Sequence, residues 1–432
     1  MNPRGRASRL AWVFAACLAA LPFAGSVAGA VDKLDTTLPL YKMVRALQDV
    51  QDQIVAGDIQ AADMQRYMLG AIDARLRTAT PQEFDDLRNV DAAMIYAMSG
   101  GNPATLDFLI SHDARGNFDN RIMNALLLYM GGKGSMATKS LDETVPEYKT
   151  TAIGPYLALV AANAIMQKSP DKALKYFDWA RLVLPGSIVE EAALRRSLFI
   201  TVKANDLDKS LRLSRLYLSR FPKSPYAAQV ADQFVTLVDA DYGKITNDQI
   251  AVILDELDHP RQQEVYLRIA RKAAIAGKLP FAKWAAGQAI ALDDGTNPAQ
   301  LKLAKLYQGL SDIPTGDMAE TRSTFDQIPD EILGPRERKL RDAGQFILSE
   351  VSKPPSLESL TQAEKDKPAS SEPASAQPAK ADSNAPTPPV QPAKADQKPA
   401  TAQAEADPID AFLNQAKSQV TAIDDLIKKG DK

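Results

Sequence analysis

From Leu38 to about Leu348 the chain keeps returning to stretches of about 12 to 18 residues with apolar side chains at i, i+3, i+4 and i+7. Short runs of Gly, Asn, Asp, Ser and Pro separate them. That periodicity belongs to amphipathic helices, and alternating Val, Ile, Thr and aromatic runs are almost absent, so the pattern predicts an all-α fold. Tyr41, Val44, Leu47, Val50 and Ile54 mark one such face. Gly57 and Asp58 then end that helix, and a second is expected from about Ile59 to Leu76. Asn102-Pro103 and Ser169-Pro170 break neighbouring helices in the same way.

An internal repeat narrows the architecture. Ser169-Pro170-Asp171-Lys172-Ala173-Leu174, followed by Leu184-Pro185, returns as Asn205-Asp206-Leu207-Asp208-Lys209-Ser210-Leu211, followed by Phe221-Pro222, at a constant shift of 37 residues. A third copy lies at Gly277-Lys278-Leu279-Pro280-Phe281-Ala282, about three periods beyond the first. Periods of this size belong to solenoids of paired helices. In the first copy Leu157, Ala161, Ala173, Phe177, Ala180 and Pro185 stand where tetratricopeptide repeats place a large, a small, an alanine, an aromatic, an alanine and a proline residue. Small residues let the two helices approach, and the proline stops the second. The later copies depart from the pattern, with Ser214 and Tyr217 at the aromatic and alanine positions of the second and Asp294 for the proline of the third. The expected fold class is all-α, a tetratricopeptide-like helical-repeat solenoid, with an irregular helical bundle as the alternative.

Both ends of the chain differ from this body. Arg4, Arg6 and Arg9 precede an apolar run from Leu10 to Phe23, and Ala28-Gly29-Ala30 offers a small-residue cleavage site, so residues 1–30 read as a secretory signal cut between Ala30 and Val31. Acylation at Cys17 and an uncleaved anchor are the alternatives. Cleavage removes the one cysteine and three arginines, taking the formal charge from -3 to -6. No disulfide is then available, and an apolar core must hold the exported domain. No later segment is long and apolar enough to span a bilayer, which points to a soluble product in the periplasm.

After Val351 the composition shifts abruptly. Between Lys353 and Pro408 stand eleven of the 28 prolines and no aromatic residue. Such a stretch buries too little apolar surface to offset the entropy of ordering it, so a disordered linker is expected over 351–408. As a flexible coil it spans roughly 40 Å, and drawn out as polyproline II on the order of 170 Å. Beyond it Ile409, Phe412, Leu413, Ala416, Val420, Ile423 and Ile427 recur at spacings of three and four. They make 409–430 an amphipathic helix whose Ile409, Phe412, Leu413, Val420, Ile423 and Ile427 are candidate partner-binding residues. The remaining organisation expected is an N-terminal helical region over 31–150 and helical repeats over 151–350.

Chemistry is sparse. With 51 Lys+Arg against 54 Asp+Glu the chain is no general polyanion binder. A sequence holding only Cys17, His112 and His259 cannot build the usual zinc sites, so no metal and no cofactor is expected. GGKGS at 131–135 follows the helical run RIMNALLLYM rather than a strand, which makes it a helix stop and not a phosphate loop. Asp239, Asp241 and Gly243 are spaced somewhat like a calcium loop, but Ile250 stands where a bidentate Glu is required. His112 and His259 fall at helix boundaries without a partner nucleophile, His112 placed to cap carbonyls, and the paired acids Asp85-Asp86, Asp293-Asp294 and Asp424-Asp425 read as caps and solvated faces. The chain reads as a binding protein, not an enzyme.

The segments LYKMVRALQDVQDQIVAGD (Leu40 to Asp58), MQRYMLGAIDARLR (Met64 to Arg77) and NVDAAMIYAMSGGNPATLDFLI (Asn89 to Ile110) resemble, in order and spacing, the MotC family of rhizobia and related α-proteobacteria. The resemblance implies a non-enzymatic periplasmic protein required for flagellar rotation, grouped with chemotaxis and acting on the stator protein MotB. It supplies no functional residues. A helical groove over 150–300, helped by the tail helix, is the expected contact with that partner, and a general envelope-assembly adaptor or chaperone of the tetratricopeptide type is the alternative function.

Overall fold

The computed structural model describes residues 38–353 apart from Thr315. Ala30, Val31, the linker and all six candidate residues of the tail, Ile409, Phe412, Leu413, Val420, Ile423 and Ile427, lie outside the described residues. Within them there are seventeen α-helices, three short 3-10 helices and no β-strand, as the periodicity requires. They gather into two compact units that divide at Val265 and Tyr266.

The first unit contains α1 (Leu40–Ala56), α2 (Ala61–Arg77), α3 (Leu87–Met98), α4 (Pro103–Ser111), α5 (Asn120–Met130), α6 (Thr138–Glu147), α7 (Gly154–Ile165), α8 (Pro170–Val183), α9 (Ile188–Lys203), α10 (Leu207–Arg220), α11 (Ala227–Ala240) and α12 (Asn247–Leu254). Punctuation acts as expected. Gly57 closes α1 with φ of 105°, a left-handed conformation that favours glycine. The side chain of Asn102 accepts from the Ala104 amide at 3.0 Å, with Pro103 opening α4. The run 131–135 is the loop after α5, passing into a 3-10 turn at Gly134–Met136.

The repeat is visible as packed hairpins. Helices α7 and α8 lie against each other, and the short connection between them forces the second to run back along the first. Leu157, Ala161, Ala173, Phe177 and Ala180 are all fully buried. Phe177 fills the space its small neighbours leave, a burial that contributes about 1.5–3 kcal/mol. The second copy is a hairpin of α9 and α10 despite its unusual residues, because the sizes are exchanged. Ser214 is small where Phe177 is large, Tyr217 is large where Ala180 is small, and both are fully buried. Ser210, at the position of Ala173, donates through its hydroxyl to that of Thr201 at 2.9 Å. Pro185 sits exposed just beyond α8, where it was expected to stop that helix.

The first unit is more than a linear stack, in which each pair meets only its neighbours. Helix α1 packs against α9 as well as α2 and α3, and α3 packs against α7. The Ile188 amide at the start of α9 donates to Asp52 of α1 at 2.8 Å, a contact between residues 136 apart in sequence.

The division between the units falls within α13 (His259–Ile275), and the second unit continues with α14 (Leu279–Ala291), α15 (Pro298–Asp312), α16 (Met318–Asp326) and α17 (Pro335–Val351). Here the third repeat copy is recognisable. Ala282, Ala286 and Ala289, in register with Ala173, Phe177 and Ala180, are all fully buried, so an alanine replaces the aromatic. Aromatics are buried at other positions of this unit, Phe281 within α14 and Phe325 of α16, which lies between Gly309 of α15 and Gly344 of α17. A Cβ at either glycine would come within 2.7 Å of the ring, which explains the residue choice.

Candidate functional site

The closure of α1 over the repeats leaves a cavity of about 440 Å³ inside the first unit. Gln51 of α1, the end of α3 through Gly101, the loop from Gly132 to Ser135, and Tyr156, Leu159 and Asn163 of α7 line it. Glu191, Arg195 and Arg196 of α9 and Tyr226 complete the wall.

Its most constrained element is a buried ion pair. Glu191 and Arg195 stand one turn apart on α9, only 0% and 3% exposed. Arg195 Nε and Nη2 donate to the two carboxylate oxygens at 2.9 and 3.2 Å, a two-pronged geometry that suits guanidinium and carboxylate. The Tyr217 hydroxyl donates to Glu191 Oε1 at 2.7 Å, and Arg195 Nη1 donates to Gln229 Oε1 at 3.4 Å. The guanidinium carbon also stands 4.3 Å from the centre of the Tyr226 ring. Burial, and next the Glu191 carboxylate, push the Tyr217 phenol far up, which keeps it a donor. The exchange of sizes in the second repeat thus has a chemical counterpart: Tyr217 reaches a carboxylate that an alanine would leave unanswered.

Two amides face the opposite situation. Gln51 is 1% exposed and donates through Nε2 to the Ser99 carbonyl at 3.2 Å, but its Oε1 meets no donor among the described residues. Asn163 donates through Nδ2 to the Tyr129 hydroxyl at 3.3 Å, and its buried Oδ1 is likewise unmatched. Tyr156 accepts from Gln48 Nε2 at 2.7 Å, and burial pushes its phenol up to about 12. It also borders a second hollow of about 360 Å³ that holds Asp49, Asp52 and Asp91 beside Arg45 and Arg88. Burial raises the Asp52 carboxyl, with Asp49 adding to the rise and the Ile188 amide opposing it, and burial alone raises that of Asp91.

The Tyr217 hydroxyl that meets Glu191 behind the cavity wall is fully buried and committed to the ion pair. Among the described residues no three His, Cys, Asp or Glu side chains gather where they could hold a metal ion. His112 caps α4, its Nδ1 lying 2.8 Å from the Phe108 carbonyl, and Asp86 and Asp294 accept from the Arg88 and Thr296 amides at 3.0 and 2.9 Å. Asp241 pairs with Lys244 at 2.7 Å in the stretch spaced like a calcium loop.

The stretch after residue 150 supplies Tyr156, Leu159, Asn163, Glu191, Arg195, Arg196 and Tyr226, and upstream segments supply Gln51, the end of α3 and the 132–135 loop. Sequence reading passed over Gln51, Asn163, Glu191, Arg195 and Arg196. A signal existed for some of them. Gln51 occupies a place on the stripe Leu40, Met43, Val44, Leu47, Ile54 where the period calls for an apolar residue, and Glu191 with Arg195 is an i, i+4 pair on a helix without a clear polar face. No helix among the described residues is long and apolar enough to cross a membrane.

Fold and site together define a helical-repeat protein with a cavity where α1 meets α9. The chain belongs to the MotC family of chemotaxis and motility proteins. The profile of that family, described as Chemotaxis protein MotC, matches residues 2–432. A Chemotaxis protein MotC of Rhizobium meliloti (strain 1021) is 43% identical over 429 residues, an alignment covering 97% of this chain and 98% of that one. No solved structure matches the chain significantly.

Proposed function

We propose that this protein is a non-enzymatic factor for flagellar rotation that works in the periplasm, where it binds a MotB-type stator protein and supports its placement or activation. The observation that carries the reading is the chain-long match to the MotC family. Supporting it, the N-terminal Arg-flanked apolar segment ending at Ala30 suits export, and the cavity offers hydrogen-bonding groups and a guanidinium without a catalytic arrangement. The apolar face of Ile409, Phe412, Leu413, Val420, Ile423 and Ile427 is a second contact in this reading, and the Pro-rich stretch before it gives reach.

Deleting the gene tests the role. Cells that assemble flagella but fail to rotate them, and recover when the gene returns, support it, while unimpaired swimming refutes it. Affinity capture of the tagged protein from the periplasmic fraction tests the partner. Recovery of MotB is expected, and recovery of outer-membrane or cell-wall assembly proteins instead would replace this reading with that of an envelope-assembly adaptor.

A further inference from the structure

Helix α2 turns outward a face that no other described residue covers. Its inner side, Ala61, Ile72, Arg75 and Leu76, is buried. Its outer line, Asp63, Tyr67, Gly70, Ala74 and Arg77, is exposed at every position. Those five alternate spacings of four and three, the seam along which one helix lies on another. A surface helix ordinarily carries polar side chains on such a line, yet here charge stands only at its two ends. Tyr67 is 55% exposed, Met64 beside it 51%, and Ile59 just ahead of the helix 89%. Gly70 lies at the middle, where a Cβ would meet nothing within 4 Å. Glycine inside a helix weakens it relative to alanine, and no neighbour among the described residues requires so small a residue here.

The line is complementary to itself turned end for end. Asp63 and Arg77 each lie seven residues from Gly70, about 10 Å along the axis at roughly 1.5 Å per residue. When a second copy of α2 crosses this one antiparallel at Gly70, Asp63 of each copy comes opposite Arg77 of the other. Tyr67 then comes opposite Ala74, a large side chain against a small one, and the glycines let the backbones approach. A parallel crossing sets Asp63 against Asp63 and Arg77 against Arg77, which repel. Within one chain Asp63 pairs with Arg66, and Arg77 with Asp73 at 3.1 Å. Both pairs lie at the surface, so sharing them across the crossing costs little. We propose that the outer face of α2 is a docking surface for a second copy of this chain, joined by an antiparallel crossing of the two α2 helices at Gly70. One helix pair buries less than a standard interface, so a reversible dimer with a dissociation constant of roughly 10–100 µM is expected. The pairing is independent of the motor role, and either stands if the other fails.

Sedimentation equilibrium of the purified full chain, from about 5 to about 300 µM, brackets that range and tests the proposal. The average mass is expected to rise with concentration from that of one chain toward that of two. Gly70→Leu fills space that is open in the single chain but closed at the crossing, and should weaken the dimer at least about ten-fold without lowering the melting temperature. Asp63→Arg chains repel one another at Arg77, and Arg77→Glu chains at Asp63, so each alone should remain monomeric. An equimolar mixture of the two should dimerise like the parent, because each charge then meets its opposite. If Arg77→Glu fails to fold, Gly70→Leu and Asp63→Arg decide. A parent chain that remains monomeric up to the highest concentration overturns the proposal, and so does a dimer equally tight in folded Gly70→Leu. Should that insensitive dimer be lost in Phe412→Asp, the tail and not α2 makes the contact.

Discussion

Replacing Arg195 with Met tests the account of the buried network most directly. The substitution keeps the apolar stem and removes the guanidinium, so Glu191, 0% exposed, retains only the Tyr217 hydroxyl among the contacts described above. Leaving a buried charge without its partner costs about 3–5 kcal/mol. For a cooperative unit of roughly 200 residues each kcal/mol moves the melting temperature by about 2–4 °C, so the expected fall is roughly 6–20 °C. The assay is thermal unfolding followed by far-ultraviolet circular dichroism, where the affected transition is that of the first unit. Arg66→Met is the control, because its pairing with Asp63 is exposed on both sides, 56% and 80%, and should leave the transition nearly in place. The double variant Glu191→Leu with Arg195→Met is expected to recover part of the loss, since an apolar pair replaces the buried ion pair at little cost while the Tyr217 hydroxyl loses its Glu191 acceptor. A melting temperature for Arg195→Met within about 2 °C of the parent refutes the reasoning, and so does a double variant no more stable than the single one.

Other perturbations probe the packing and titration separately. Asp52 has its folded pKa raised, chiefly by burial, so its ionised form opposes folding at neutral pH and that opposition fades as pH falls through the raised value. Asp52→Asn, which can still accept from the Ile188 amide, should therefore melt above the parent at pH 7, with the difference closing below the ordinary Asp pKa of about 3.9; an equal difference at both pH values contradicts the assignment. Ser214→Ala removes a buried hydroxyl that meets no partner among the described residues and should stabilise the chain by on the order of 1 kcal/mol in chemical denaturation, where a loss of that size would show that the hydroxyl is bonded. Gly344→Ala forces a methyl to within 2.7 Å of the Phe325 ring and should destabilise the second unit by about 1–3 kcal/mol, and an unchanged unfolding midpoint would mean that the helices part freely there.

Much of the architecture was legible before any coordinates. Helix periodicity is a local property, written every three or four residues, and Gly57, Asn102 and Pro103 act on the backbone within one turn of themselves. The first repeat hairpin could be read for the same reason, because Ala173, Phe177 and Ala180 meet helix α7 across a short connection. The second hairpin was harder. Its exchange of small and large residues at Ser214 and Tyr217 preserves total volume while breaking the residue-by-residue pattern, and packing responds to volume. In the second unit an alanine, Ala286, stands at the aromatic position, and Phe325 packs between Gly309 and Gly344, on helices outside the three repeat copies that the template matches.

By itself, the sequence determined that this chain is helical, that its middle is built of repeated hairpins and that it belongs with the MotC proteins, since each follows from local spacing or from residue order over the whole chain. Only the tertiary structure decided that α1 returns to α9 and encloses Gln51, Asn163, Glu191, Arg195 and Arg196 around one cavity. The physical reason is that such an arrangement depends on contacts between residues more than a hundred positions apart, and the burial of Gln51, Glu191 and Arg195 exists only once those contacts are made.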